Sequence, residues 1–468
     1  MDDLLTQSGL AISAKLAAGN LSCLDYLDAV LARVDAVNPA VNAIVARRDP
    51  DLLRAEARAA QKAPRRSWLH GMPVAIKDTV ATADIVTTWG SPLLRDNRPA
   101  KNDVVAERLL AAGAILIGKT NVPEFGLGSH SYNPVYGVTR NPYDRAVTAG
   151  GSSGGAAAAL ACRMLSVADG SDMMGSLRNP AAWNNVYGHR PSHSLIPGGV
   201  GEDLFLHPLV ASGPMARDPS DLAALLEILA GPHPSDPNGV PFSAAAVTAH
   251  ATGLRIGWLG DWGGAWPMEP GLIALGEVAL ARLADLGAVV EPLAPPMPAE
   301  ALWQSWRDLR HWAIAQAQAP LYADPANHAL MKAALIWEIE GGRALSNAQI
   351  LEASTLRSDW FRAAAALFER YDVLAMPATQ VWPFPATQDW PKDIAGHSMD
   401  TYHRWMECVI PASLIGLPAT ALPAGFGAAG LPGGIQIVGP RGADARLLSL
   451  ASAYHAATDW PGTRPPPL

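Results

Sequence analysis

GGSSGGAAAALACRMLSVADGSDMMGSLRNPAAWNNVYGHRPS, residues 150–192, is the stretch whose reading decides the fold. It opens with Ser152 and Ser153 between two glycine pairs and continues through an alanine-rich segment that reads as a helix. It then reaches a second glycine–serine turn at Gly175 and Ser176. Glycine loses more conformational freedom on folding than any other residue. A chain holds six of them between 150 and 175 only where backbone approaches something closely or takes positive φ. Two such loops, each presenting a serine, point to a reaction site.

Working outward, residues 1–62 read as helices. In LSCLDYLDAVLARVDAVN, Leu24, Leu27, Val30, Leu31 and Val34 fall three and four apart, with Ser22 placed to cap. GMPVAIKDTV, 71–80, is a short apolar run that reads as a strand and carries Lys77. DVVAERLLAAGAILIGKTN gives a helix over 104–112, a stop at Gly113 and a strand over 114–117. Beyond the glycine-rich centre, PSDLAALLEILAGP is a helix, LRIGWLGDW a strand, and PGLIALGEVALARLADLGAVVEPL a helix, a glycine stop and a strand. Residues 296–366 look mainly helical. YDVLAMPAT, PATALPAGF and GGIQIVGP read as strands, and ARLLSLASAYHAATDW as the closing helix. Strands alternating with helices across short loops predict an α/β architecture.

Composition narrows the function classes. The 468 residues carry a net charge of -8 and no basic run, which argues against a nucleic-acid partner. No stretch approaches the roughly 18 apolar residues of a membrane span, and no signal-peptide pattern follows the acidic start, so the expected location is cytoplasmic. Cys23, Cys162 and Cys408 are too few and scattered for a disulfide framework or a zinc site. Only seven lysines stand among the 35 basic residues, so a lysine in an apolar run is notable. Eleven of the fifteen tryptophans fall between 258 and 405, as core packing or as the wall of an aromatic pocket.

Three patterns compete for the chemistry. Residues 113–120, GAILIGKT, match the phosphate-loop pattern, but Ala-Ile-Leu-Ile is a strand rather than a loop, and Pro123 stands where the phosphate-binding helix should run. Ser152 and Ser153 each match GxSxG, yet RAVTAG before them is no buried strand, and that reading also needs an acid and a histidine. The third pattern combines Lys77, the Ser152–Ser153 pair and Ser176. A serine hydroxyl becomes a good nucleophile only when a base takes its proton, and a desolvated neutral lysine beside Val74, Ala75 and Ile76 can be that base.

The blocks GMPVAIKD, GAILIGKTNVPEFG, GGSSGG and GSDMMGSLRNPAA, in that order, resemble the amidase signature family, as do GVTRNPYD, YDVLAMPAT, GLPATALPAGF and GGIQIVGP. The resemblance covers most of the chain and is weakest over 200–365. It implies one amidase domain over 1–468, with an N-terminal helical segment over 1–62 and the signature core over 63–200. Residues 296–366 would be a mainly helical, substrate-facing segment of the same domain. The implied fold is α/β, with a large mixed, mostly parallel twisted sheet covered by helices on both faces.

The implied activity is hydrolysis of a C–N amide bond through an acyl-enzyme. Ser176 would be the nucleophile, Ser152 the bridging serine after a cis peptide, and Lys77 the terminal base. The amides of Met173, Met174, Gly175 and Ser176 would form the oxyanion hole, with Ser153, Asp172 and Arg178 supporting them. Phe125, Gly126, Met173 and Met174 are the candidate pocket, with no metal or cofactor. The chain departs from the family at Met174, where a glycine is common, and at GHRPS, where a lysine-containing block is usual. The methionines and the tryptophans point to an apolar or aryl amide or carbamate as substrate, rather than a small polar one, handled by a monomer or homodimer. The alternatives are the glutaminase subunit of a tRNA-dependent amidotransferase and a catalytically silent scaffold or nucleotide-binding protein.

Overall fold

A computed structural model describes residues 2–198, 205–206 and 208–468. The Lys77 strand, Pro73–Lys77, belongs to a three-stranded sheet in which Ile115–Thr120 is central. Ile115–Thr120 pairs in parallel with Pro73–Lys77 and antiparallel with Ile44–Val45. Every residue of Pro73–Lys77 and of Ile115–Thr120 is buried, which accounts for their continuous apolar runs. Helices Gly9–Ala17 and Cys23–Val41 precede this sheet, and Pro50–Lys62 lies between its strands Ile44–Val45 and Pro73–Lys77. Ser22 caps the second through its side chain, and that helix buries Leu27, Val30, Leu31 and Val34.

The second sheet has eight strands. From one edge it runs Val289–Pro292, Arg255–Trp258, Val373–Pro377, Pro432–Val438, Ala419–Phe426, Tyr187–Arg190, Ala211–Ala216 and Val167–Asp172. It is the large mixed sheet expected, with one correction: antiparallel pairs outnumber parallel ones. Only the first three strands run parallel to one another. Every later pairing is antiparallel. Connections explain this. A crossover helix, Leu272–Asp285, joins Arg255–Trp258 to its parallel partner Val289–Pro292. By contrast, Ala419–Phe426 and Pro432–Val438 are separated by a loop too short for anything but a hairpin. Val373–Pro377 and Pro432–Val438 are buried at every position, so both faces of the sheet are covered there.

Residues 299–368 form helices Ala299–Ala317, Ala319–Tyr322, Ala333–Ala344 and Asn347–Phe368, with a short 3-10 turn at Pro325–Leu330. Trp303, Trp306 and Trp360 from this region pack with Trp262, Trp266 and Trp405 in one apolar cluster. Trp337 is left 39% exposed and goes elsewhere.

The two sheets meet through the alanine-rich helix, Gly154–Ala161, which is buried throughout. Its glycines have a steric reason. A methyl group on Gly155 would sit 2.2 Å from the Asn121 amide nitrogen and 2.6 Å from the Ala43 carbonyl oxygen. Both obstacles are backbone, which moves less readily than a side chain. Gly155→Ala is therefore expected to destabilise the protein by about 1–3 kcal/mol through overpacking. The midpoint of denaturant unfolding reports this, and an unchanged midpoint would show that the helix has room there.

Candidate active site

The helix packing brings Ser152 and Ser153 to the end of the Lys77 strand. Lys77 is fully buried, and its Nζ lies 2.8 Å from Ser152 Oγ, 2.9 Å from Ser153 Oγ and 2.9 Å from Ser171 Oγ, with the Ser171 carbonyl at 3.3 Å. Burial lowers the Lys77 pKa to about 7, against the opposing pull of Asp169 and Asp172. The main-chain N–H of Lys77 donates to Asp169 Oδ1 at 3.0 Å, tying the small sheet to the edge strand of the large one. Burial raises the Asp169 carboxyl to about 6. The peptide bond between Gly151 and Ser152 is cis.

The serines differ in what they can still do. Ser153 is wholly buried; its hydroxyl accepts from Lys77 and donates to the Ser171 carbonyl at 3.4 Å, while its amide donates to the Ser176 carbonyl at 3.3 Å. Ser152 Oγ meets only Lys77 among the described residues and keeps its proton free to move. Ser176 Oγ has no protein partner among the described residues, and Ser176 is the more exposed, at 7% against 4% for Ser152. No hydrogen bond joins Ser152 to Ser176.

The Ser176 turn is built on Asp172. Gly175 takes φ +78°, and a methyl there would meet Val409 at 2.9 Å, so glycine is required. Asp172 accepts from the Gly175 amide at 2.8 Å and the Leu177 amide at 3.2 Å. Arg178 binds the same carboxylate with two nitrogens, at 3.0 and 2.9 Å. Arg178 also donates to the Val409 carbonyl, Gln436 Oε1 and Ser413 Oγ. Arg190 closes the shell, donating to the Asp172 carbonyl and reaching Asp172 Oδ1 at 3.4 Å. Burial alone would raise the Asp172 pKa, but Arg178 and then Arg190 hold it well below the usual carboxylate range.

This narrows the expected oxyanion hole. The Gly175 N–H is turned inward to Asp172 and drops out. The amides of Met173, Met174 and Ser176 have no protein acceptor among the described residues and stay available. The pocket expectation is corrected too. Met174 is buried in the tryptophan cluster, beside a void too small for a water molecule. Met173 is half-buried under Arg310, whose Nη1 lies 3.2 Å from its sulfur. Phe125 packs against Trp89 with ring centres 6.3 Å apart. Gly126 borders Ser152: a methyl there would lie 3.6 Å from Ser152 Oγ.

The cavity beside the site, about 380 Å³, has other walls. Leu127 to His130 and Tyr132 form one side, Lys332 and Trp337 a second, and Trp390, Tyr402 and Trp405 a third, with Asp389 and Asp400 also on the lining. It adjoins the serines through Ser129, whose hydroxyl donates to the Gly151 carbonyl at 2.5 Å. At its other side, Tyr402 binds Arg310, the residue lying on Met173. Arg310 is itself paired with the buried Glu338 at 2.7 Å.

The competing patterns find no geometry. Lys119 Nζ donates to the Val80 carbonyl and Thr82 Oγ1, both at 2.7 Å, inside a buried strand rather than a phosphate loop. The hydroxyls of Ser152 and Ser153 meet Lys77, and no described histidine bonds either. Among the described residues no cluster of His, Cys, Asp and Glu could hold a metal ion. Nor is any described helix long and apolar enough to cross a membrane.

Comparison with known proteins agrees with this architecture. The Amidase family model matches residues 25–448. An acylamidase of Rhodococcus erythropolis is 32% identical over 476 residues, covering 98% of this chain and 97% of the relative. A glutamyl-tRNA(Gln) amidotransferase subunit from Chloroflexus aurantiacus is 34% identical over 489 residues, covering 97% of each chain. A bacterial aryl acylamidase of the amidase signature family superposes with a TM-score of 0.90 at 28% identity, covering 98% of this chain and 99% of that one.

Proposed function

The chain belongs to the amidase signature family, and on that premise we propose that it hydrolyses amides with Ser176 as nucleophile, Ser152 as proton relay and Lys77 as terminal base. One observation carries the reading: a buried lysine amine within 2.9 Å of three serine hydroxyls, beside a glycine–serine turn with unpartnered amides. A neutral amine has two N–H donors and one lone pair. Ser153 and Ser171 can take the donors, and the Ser152 proton can enter the lone pair.

In the first half-reaction Ser176 Oγ attacks the amide carbon. Its proton passes to Ser152 Oγ while the Ser152 proton passes to Lys77 Nζ. The developing oxyanion lies against the amides of Met173, Met174 and Ser176; in comparable sites one such donor is worth about 3–4 kcal/mol. The C–N bond breaks as Ser152 returns a proton to the leaving amine and recovers one from Lys77. Water then attacks the Ser176 ester by the same relay, releasing the acid and restoring the serine. The missing Ser152–Ser176 hydrogen bond is compatible with this, because such bonds often tighten only around bound substrate.

The relay works only with Lys77 neutral. Turnover should fall as pH drops through about 7, with kcat/KM losing about tenfold per pH unit on the acid limb. A profile with no break between pH 6 and 8 would argue against Lys77 as the base. Stability moves the same way for a separate reason. Between about 7 and 10.5 the unfolded chain holds a proton on Lys77 that the folded chain lacks, so Lys77 makes stability rise with pH across that window.

The substrate class follows from the cavity. Tyr132, Trp337, Trp390, Tyr402 and Trp405 suit an apolar or aryl amide or carbamate, and Trp337 supports a substrate-facing role for the helices within 296–366. An anilide should therefore be cleaved with a much higher kcat/KM than acetamide, and equal turnover of the two would remove the assignment. A second reading, the glutaminase subunit of a tRNA-dependent amidotransferase, is favoured by the 34% identity to a protein of that kind. Glutamine turnover together with a co-purifying partner chain would select it. The aromatic walls suit an aryl body better than glutamine.

A further inference from the structure

Lys332 stands in the wall of the aromatic cavity with its ammonium only partly engaged. Nζ donates to the Leu127 carbonyl at 3.0 Å and lies 4.9 Å from the centre of the Tyr132 ring. An ammonium has three N–H donors, and a ring face attracts its charge without replacing an oxygen acceptor. Among the described residues no carboxylate pairs with that ammonium. Asp389 and Asp400 also line the cavity, but each pairs with another cation, Lys392 at 3.1 Å and Arg404 at 3.5 Å, while Glu124 accepts from the Ser91 hydroxyl at 2.8 Å. Burial lowers the Lys332 pKa to about 8, against the weaker pull of Glu124 and Asp389, which leaves it largely charged at neutral pH. The cavity thus offers aromatic walls, a link to the Gly151–Ser152 backbone through Ser129, and a cation with no carboxylate partner among the described residues.

We infer that Lys332 binds a carboxylate on the substrate, so that the enzyme prefers aryl amides bearing an acid across the ring from the scissile bond. This rests on the reading of the cavity as the substrate site of Ser176. The acid can sit on either half of the amide, and two probe pairs cover both. 4-Acetamidobenzoate against 4-acetamidobenzamide places it on the amine side, and 4-carbamoylbenzoate against terephthalamide on the acyl side.

Calorimetric titration of Ser176→Ala protein reads binding without turnover. In one pair the carboxylate is expected to bind at least tenfold tighter than its neutral partner. That ratio should fall below twofold in Ser176→Ala/Lys332→Met, survive in part in Ser176→Ala/Lys332→Arg, and be unaffected by Lys62→Met on the exposed N-terminal helix. Melting temperatures check folding, and Lys332→Gln replaces Lys332→Met if the latter does not fold. A ratio near one in both pairs, no binding of either carboxylate, or a ratio that survives loss of the Lys332 charge in folded protein overturns the inference. Wild-type turnover is scored separately. Intact acid preference without hydrolysis of any probe would overturn the Ser176 mechanism and leave the Lys332 assignment standing.

Discussion

Ser176→Ala is expected to lower kcat/KM for an aryl amide by on the order of 10⁴ to 10⁶, the scale at which a unit of nucleophile and base fails when one member is removed. The fold should not change, because Ser176 Oγ has no protein partner among the described residues and its removal leaves no buried group unsatisfied. Lys77→Met should lower kcat/KM by a similar factor, since the proposed mechanism makes Ser176 and Lys77 one unit. The double variant should be little worse than either single one. Ser153→Ala should do less: its hydroxyl positions Lys77 and is already committed to the Ser171 carbonyl. Steady-state rates with matched unfolding midpoints decide this. A Ser176→Ala enzyme retaining a tenth of its activity would place the nucleophile elsewhere.

Asp172→Asn carries the second large effect, and on stability first. The carboxylate sits between two buried guanidinium groups, Arg178 and Arg190, and holds the Gly175 and Leu177 amides on either side of Ser176. An amide side chain keeps the shape but removes the charge, leaving two buried cations without their counter-ion. Breaking such a buried pair costs about 3–5 kcal/mol. Because the depressed Asp172 pKa adds stability only while the group is ionised, the loss should shrink as pH falls toward the native pKa. The Ser176 turn should loosen as well, and a small misplacement of a nucleophile costs about 10²-fold in rate. Denaturant unfolding and the rate of Ser176 acylation measure the two effects. An unchanged midpoint would mean that the arginines find other acceptors.

Part of this is legible in the sequence because the chemistry is local there. Lys77 stands out as a scarce lysine in an apolar run, and the two glycine–serine loops announce themselves by glycine content. Asp172 and Arg178, six positions apart around a turn, also pair as their spacing suggests. Other features have no local signal. The strand Val167–Asp172 reads as polar because its Asp169, Ser171 and Asp172 serve the site, which hides Ser171 and Asp169 as partners of Lys77. The Gly175 amide belongs to the oxyanion pattern by position, yet its direction depends on Asp172. Arg190 and Gln436 support the Asp172–Arg178 pair from distant strands. The cavity walls come from residues 127–132, 332–337 and 389–405, which only the tertiary fold brings together. Strand direction is hidden for a similar reason: alternation with helices suggests crossovers, while the hairpin after Phe426 and the strand pairings up to Val167–Asp172 are antiparallel.

Covalent trapping tests the central claim most directly. A fluorophosphonate should add one equivalent to the wild-type chain, located by peptide mass spectrometry on Ser176. The labelling rate should rise with pH through about 7, and no label should appear in Ser176→Ala. Label on Ser152, Ser153 or Ser171, or a labelling rate indifferent to Lys77→Met, would contradict the assignment of Ser176 as nucleophile and Lys77 as its base.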